Sequence, residues 1–279
     1  MVLAVAWTAL WGVKLANRAE LIATEVRATA SNAQSTIGEA DPDAIAELHA
    51  NLLAALPRVK KLDNDMWPLR TIGSIVGWYP VLGDNVTAPP EMTERLLNDV
   101  HAALLLIEVA ERLLVTYDLV KSDSGGITEA LESLPSAFEI NEIRQILIES
   151  TSALSRAEST ARKTNDRLLW GKLETEAENL RAEEESLREL VDWTLLTVDS
   201  LAALTTLSEV SGGLTSILES GDATQLTGDT LKRMPELASL SGKAYLAVSS
   251  AVESAPESVA SSTIGTTFRD LQPVLDSLH

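Results

Sequence analysis

The groups in this 279-residue chain from which chemistry could be built are 41 carboxylates, three histidines and a scatter of hydroxyls, for there is no cysteine. Without thiols there is no disulfide framework, no thiolate metal site and no cysteine nucleophile. His49 and His101 fall on predicted helices and His279 ends the chain; a pair of helical histidines more often marks a polar position near a face than a ligand set. No Gly-x-Ser-x-Gly elbow, phosphate-binding Gly-rich loop or His-Glu-x-x-His occurs. The densest carboxylate cluster, Glu174, Glu176, Glu178, Glu183, Glu184 and Glu185, is relieved by Lys172, Arg181 and Arg188 and reads as a solvated helix face. It lacks the Asp-x-Asp-x-Asp-Gly turn of a calcium loop. No catalytic residue, cofactor-binding residue or metal ligand is therefore assigned. Asn85-Val86-Thr87 fits a glycosylation acceptor, a match of little weight in a chain this long.

The composition says which elements must carry these groups. Hydrophobic residues are 45% of the chain but aromatics only 4%, which favours helices rich in Ala and Leu over strands. The net charge of −19 disfavours nucleic-acid binding. Asp41-Pro42-Asp43 is a helix start, after which Ile45, Leu48, Leu52, Leu53 and Leu56 recur up to Pro57. Pro89-Pro90-Glu91 is the next start, followed by an apolar face through Met92, Leu96, Val100, Ala103, Leu104, Ile107, Leu114 and Tyr117, until Gly125-Gly126 ends it. Seven-residue rhythms follow, first Ile143, Leu147, Leu154 and Ala157, then Leu173, Ala177, Leu180, Leu187, Val191, Leu195, Val198 and Leu201. From Ser208, Gly212, Gly213, Gly221 and Gly228 break the chain around a short helix, and a last long helix spans about 234 to 252. The expectation is an all-α, elongated bundle of five to seven helices with long antiparallel coiled-coil-like members; the heptads also allow a homodimer.

The chain starts with an uncharged run, Val2 to Val13, too short to span a bilayer by itself. A membrane anchor truncated at its start and a buried helix both fit. In the first reading Trp7 and Trp11, followed by Lys14 and Arg18, form an aromatic and basic membrane interface. The expected organisation is an apolar segment at 1–19, a main bundle at 20–207 and a Gly/Ser-punctuated helical region at 208–279.

The most distinctive stretch runs from Met66 to Asp84 and holds Trp67, Arg70, Trp78 and Tyr79 among several glycines and prolines. It reads as an ordered loop that buries its aromatics over helix ends, or as a contact surface, since Trp and Tyr are favoured at binding hot spots. These four residues are the candidate partner or ligand contacts. With the apolar start, the paired leucines of the first helix, the phrase Pro68-Leu69-Arg70 … Gly77-Trp78-Tyr79-Pro80-Val81-Leu82-Gly83-Asp84 and then Leu96-Leu97, the sequence resembles the helical N-terminal region of an uncharacterised family of bacterial membrane-anchored proteins, a domain of unknown function. The resemblance covers mainly residues 2 to about 114 and less of the chain to about 210. It implies one N-terminal transmembrane helix, a helical region and a separate C-terminal domain outside the membrane, and it carries over no catalytic residue. Beyond Val210 this chain has only helical and Ser/Gly-rich sequence where that domain would be expected.

Two functional readings result. The first is a non-enzymatic extracytoplasmic scaffold or interaction module, tethered at its N-terminus, with a protein partner and no cofactor; a cytoplasmic protein is the alternative location. The second is a sensor-type bundle holding a small ligand near Trp78-Tyr79. Polar residues repeatedly interrupting an inward helix face near that stretch would favour the second, and the sequence pattern does not single any out.

Overall fold

The computed structural model describes residues 41–76, 82–122, 134–165, 169, 171–219 and 231–260, with single helical positions at Arg18, Leu21, Ile22, Thr24, Glu25, Ala28, Thr266, Arg269 and Gln272. The elements are α1 (Pro42–Asp65), α2 (Trp67–Val76), α3 (Leu82–Ser122), α4 (Ala137–Asn165), α5 (Gly171–Glu219), α6 (Leu231–Glu253) and the short α7 (Glu257–Ala260). No strand occurs among the described residues, and the chain is an all-α bundle. Its contacts gather into two units. The first combines Met1–Ala33, Asp43–Glu108 and Ile148–Glu189, and the second Gln34–Pro42, Val109–Leu147 and Leu190–His279.

In the first unit, α1 starts at Pro42 behind Asp41, as the start signal requires. It runs past Pro57 to Asp65, eight residues beyond the expected end. Pro57 is exposed, so the Leu53 carbonyl that loses its helical partner there can be met by water. The inward pattern meanwhile continues. Ile45, Leu48, Leu52, Ala55, Val59, Leu62 and Met66 are buried at alternating steps of three and four, and the same steps lead on to half-buried Leu69 and buried Gly73. Thus α1 and α2 share one inward register across a bend at Met66, whose N–H still donates to the Leu62 carbonyl at 3.1 Å. Pro68 explains the bend, since it cannot donate to the Asn64 carbonyl. The expected ordered loop is therefore a helix over 67–76, and Trp67, 67% exposed, is not buried over a helix end.

Helix α3 starts at Leu82, so Pro89 and Pro90 lie inside it instead of at its head. Local chemistry there yields to packing. Gly73 of α2 lies so close to α3 that a Cβ on it would fall 2.7 Å from Thr87 Cγ2. Thr87 is held by its own hydroxyl, which donates to the Gly83 carbonyl at 3.0 Å, and Thr93 Oγ1 donates to the Pro89 carbonyl at 2.9 Å. Further along, Met92, Leu96, Val100, Ala103, Leu104 and Ile107 are all buried, as expected. Helix α4 lies antiparallel to α3: Arg156 Nε donates to Asn98 Oδ1 at 3.5 Å, and Ser150 Oγ to the Ala102 carbonyl at 3.1 Å. Asn85 of the glycosylation pattern is a buried helical residue, 7% exposed, a poor position for an acceptor.

In the second unit, α4 opens on a capping box: Ser136 N–H donates to Glu139 Oε2 at 2.8 Å and Glu139 N–H to Ser136 Oγ at 3.3 Å. The Ser136 hydroxyl, which donates to the same Oε2 at 2.7 Å, and the Ser136 N–H hold the Glu139 carboxyl below its ordinary range. Ile140, Ile143 and Leu147 are buried, the first part of the predicted heptad seam, and Arg112 reaches Glu142 at 3.1 Å. Leu204 and Leu207 of α5 pack with Ala244, Val248 and Ala251 of α6. Trp193 is buried and its indole N–H donates at 3.0 Å to the Ala251 carbonyl. That carbonyl lies in the last turn of α6, where Ala255 N–H bonds instead to Val252, so the indole closes an open helix end. Thr194, Thr197 and Ser200 hide their hydroxyls by donating to carbonyls one turn back.

Helix α5 runs 49 residues and passes through Gly212-Gly213, where a break was expected. Each glycine costs about 1 kcal/mol against alanine in a helix, but a long helix already nucleated gains one hydrogen bond for every residue added. In the second rhythm Ala177, Leu180, Val191 and Val198 are buried, while Leu173, Leu187, Leu195 and Leu201 are half-buried. By length and composition this helix, over Gly171–Val210, could cross a membrane, its most apolar 18 residues having a mean hydropathy of 1.3, yet 56% of that 18-residue stretch is buried within the fold, as in a core helix.

The contact at Gly73 yields a prediction. Gly73→Ala should gain about 1 kcal/mol in helix propensity but lose about 1–3 kcal/mol to overpacking against Thr87, for a net destabilisation. Adding Thr87→Ala should reverse the sign of the Gly73→Ala effect, read as a coupling energy from denaturant melts of the four variants.

Candidate functional site

The strongest departure from an apolar interior lies in the first unit. Arg95 of α3 is 0% exposed, and its side chain forms a two-pronged pair with Glu184 of α5: Nε donates to Oε1 at 2.8 Å and Nη2 to Oε2 at 2.9 Å. One turn on, Asp99 is also buried. Neither Asp99 oxygen, nor Arg95 Nη1, has a hydrogen-bond partner among the described residues. The geometry follows from helix periodicity, because residues four apart share a face. That face is the inward one, as the burial of Met92, Leu96, Val100 and Ala103 around it shows.

The electrostatics follow from burial. Lack of solvent pushes the Asp99 carboxyl well above its ordinary range, the carboxylate of Glu184 pushes it further, and the Arg95 guanidinium only partly offsets them. Burial thus favours the protonated form of Asp99 beside the Arg95–Glu184 pair. Glu184 belongs to the acidic run expected to face water. Glu174, Glu178 and Glu185 of that run are exposed, but the Glu184 side chain is only 12% exposed because Arg95 draws it inward. The sequence contained a usable signal for this site: Asp99 falls on the three- and four-residue steps from Leu96 to Ala103, where a core residue belongs.

The residues singled out from sequence are placed differently. Trp67 and Arg70 are exposed on α2. Arg70 pairs back to Asp63 across the bend. Trp78 and Tyr79 lie outside the described residues, as do Trp7, Trp11 and Lys14. Arg18 is exposed and meets Asp65 at 3.5 Å. His49 and His101 do not form a pair: His101 lies 3.5 Å from Glu149 at the surface and His49 is half-buried on α1. Among the described residues no group of three potential metal ligands comes together.

No family model, curated protein or solved structure matches the chain.

Two predictions follow from the buried charges. The folded chain binds the Asp99 proton more tightly than the unfolded chain, in which an aspartate titrates near about 4. Stability from this group is therefore complete below that pH and is lost as pH rises through the raised folded-state value. Asp99→Asn should flatten that decline and raise stability on the alkaline side, measured by denaturant unfolding across pH. Glu184→Gln, which strands a buried guanidinium, should destabilise by about 3 kcal/mol. Arg95→Met combined with Glu184→Leu should recover most of that loss in the same measurement.

Proposed function

We propose that this chain is a non-enzymatic helical scaffold or interaction module, held at a membrane through its N-terminus with the body on the extracytoplasmic side. The observation that carries the reading is how the residues following the apolar start attach to the body. Arg18 meets Asp65, and Glu25 meets Arg58 at 2.6 Å, so these two residues contact α1 at two points and in the reverse order of the sequence. Such exposed pairs contribute little energy each, but they fix where an anchored start would hold the first unit. The uncharged run from Val2, the Trp7, Trp11, Lys14 and Arg18 pattern and the resemblance to membrane-anchored proteins support the same reading.

A specific observation favours a second reading, a sensor-type bundle that binds a small ligand. Thr93, Arg95 and Asp99 interrupt the inward face of α3 in the turns that follow the Trp78-Tyr79 stretch. A ligand carrying both a hydrogen-bond acceptor and a donor could engage Arg95 Nη1 and the Asp99 carboxyl.

Membrane fractionation of the native protein, combined with protease added from outside intact cells, tests the first reading. Recovery in the membrane pellet with the body cleaved externally is the expected result. Recovery in the soluble fraction, protected from protease, would overturn the tether and make Val2–Val13 a candidate core helix.

A further inference from the structure

We propose that the outward face of the α1–α2 rod, from Leu53 to Ile75, docks in plane on the headgroup region of an anionic lipid surface. The assignment rests on the N-terminally tethered reading and names what the first unit meets beside the tether.

The shared inward register of α1 and α2 determines which positions point away from the core. Between Leu53 and Ile75 these outward positions hold Leu, Ala, Pro, Lys, Lys, Asn, Trp, Pro, Thr, Ser and Ile, and no carboxylate, in a chain with 41 acidic residues. Two large apolar side chains stand in water there, Trp67 at 67% and Ile75 at 66% exposure, and Leu53 is also exposed. Lys60 and Lys61, one heptad before Trp67 and Pro68, are exposed and make no ion pair among the described residues.

The carboxylates bordering the face are each matched by an arginine: Asp63 with Arg70, Asp65 with Arg18, and Glu25 with Arg58. What is left over is the charge of the two lysines. A face combining an interfacial Trp, an aliphatic residue and unmatched lysines, on a helix lying lengthwise, has the composition of helices that rest in the lipid headgroup layer. Charge complementarity selects the occupant, since the rest of a chain with net charge −19 is repelled by such a surface and this face is not. The position agrees as well, because Arg18, five residues after the apolar run, is held at Asp65, two residues from Trp67.

The absence of native cysteine permits a direct test on the full chain. A nitroxide is attached at Thr71→Cys, or at Asn64→Cys as a second position on the same face, with Ser155→Cys on exposed α4 as control. Collision with a water-soluble nickel chelate and with oxygen is then read with vesicles of pure phosphatidylcholine and with vesicles containing phosphatidylglycerol. The expected result is a several-fold drop in nickel collision and a rise in oxygen collision at Thr71 on the anionic vesicles only, unchanged values at Ser155, and reversal by Lys60→Glu with Lys61→Glu.

If the chain sediments with both kinds of vesicle while Thr71 remains open to nickel, the docking face is refuted and the tether survives. A chain that stays in solution with either vesicle overturns both. Protection of Thr71 in the absence of vesicles would show that another copy of the chain covers the face, and would equally sink the lipid assignment.

Discussion

A guanidinium with no access to water must be met by protein, and the packing of the first unit is organised around that constraint. Arg95 is met by Glu184 through two parallel hydrogen bonds, the geometry in which an arginine and a carboxylate interact most strongly. The pair also decides register. Apolar seams built on a seven-residue rhythm tolerate a slip of one heptad, since one Leu or Ala replaces another. A slip of α5 by seven residues would bring Ala177 or Val191 opposite Arg95, and neither can accept a hydrogen bond. The charged pair therefore penalises alternative packings that the apolar residues alone would allow, a role better attested for buried polar groups than net stabilisation.

Asp99 makes the arrangement expensive. A second buried carboxyl beside Glu184 cannot ionise without leaving two negative charges around one guanidinium, so the interior stays neutral only while Asp99 keeps its proton. Proton binding and helix packing are linked in this unit. In the second unit these buried polar side chains meet backbone carbonyls instead of charges: the Trp193 indole caps the end of α6, Thr205 donates to the Pro135 carbonyl, and Thr194, Thr197 and Ser200 bond to their own helix.

The bundle was legible in the sequence because long apolar periodicities survive any local irregularity. The α3 face from Met92 to Leu114 and the α4 seam from Ile143 to Ala157 are buried as read. Boundaries were misplaced wherever a local rule met a longer pattern. Pro57, Pro89-Pro90 and Gly212-Gly213 are breakers by residue type, but each lies inside a helix: the packing around the prolines outweighs the one or two hydrogen bonds they forgo, and the glycines keep their N–H donors and cost only helix propensity. The same conflict explains Gly73, which reads as loop punctuation and serves as the gap that lets α2 approach Thr87. The buried site was harder to see for a different reason. An Arg and an Asp four residues apart are most often a solvent-exposed helix pair, and Glu184 is one of six glutamates in a stretch of twelve residues. Residue types alone do not separate the glutamate that turns inward from those that remain in water.

The distribution of charge over the first unit then acquires a directional meaning. A uniformly acidic protein is repelled from an anionic surface in every orientation, and the repulsion weakens over about one Debye length, roughly 8–10 Å at physiological salt. A face that carries two lysines and no carboxylate is repelled less than the average surface of a chain with net charge −19. Lys60 and Lys61 need not bind strongly to matter, because they favour this face over the acidic parts of the chain. Trp67 and Ile75 would then contribute the short-range apolar contact once the orientation is set. The three neighbouring arginine pairs acquire a similar role: weak as stabilising contacts, they mask Glu25, Asp63 and Asp65 and keep the border of the face from cancelling its two free positive charges.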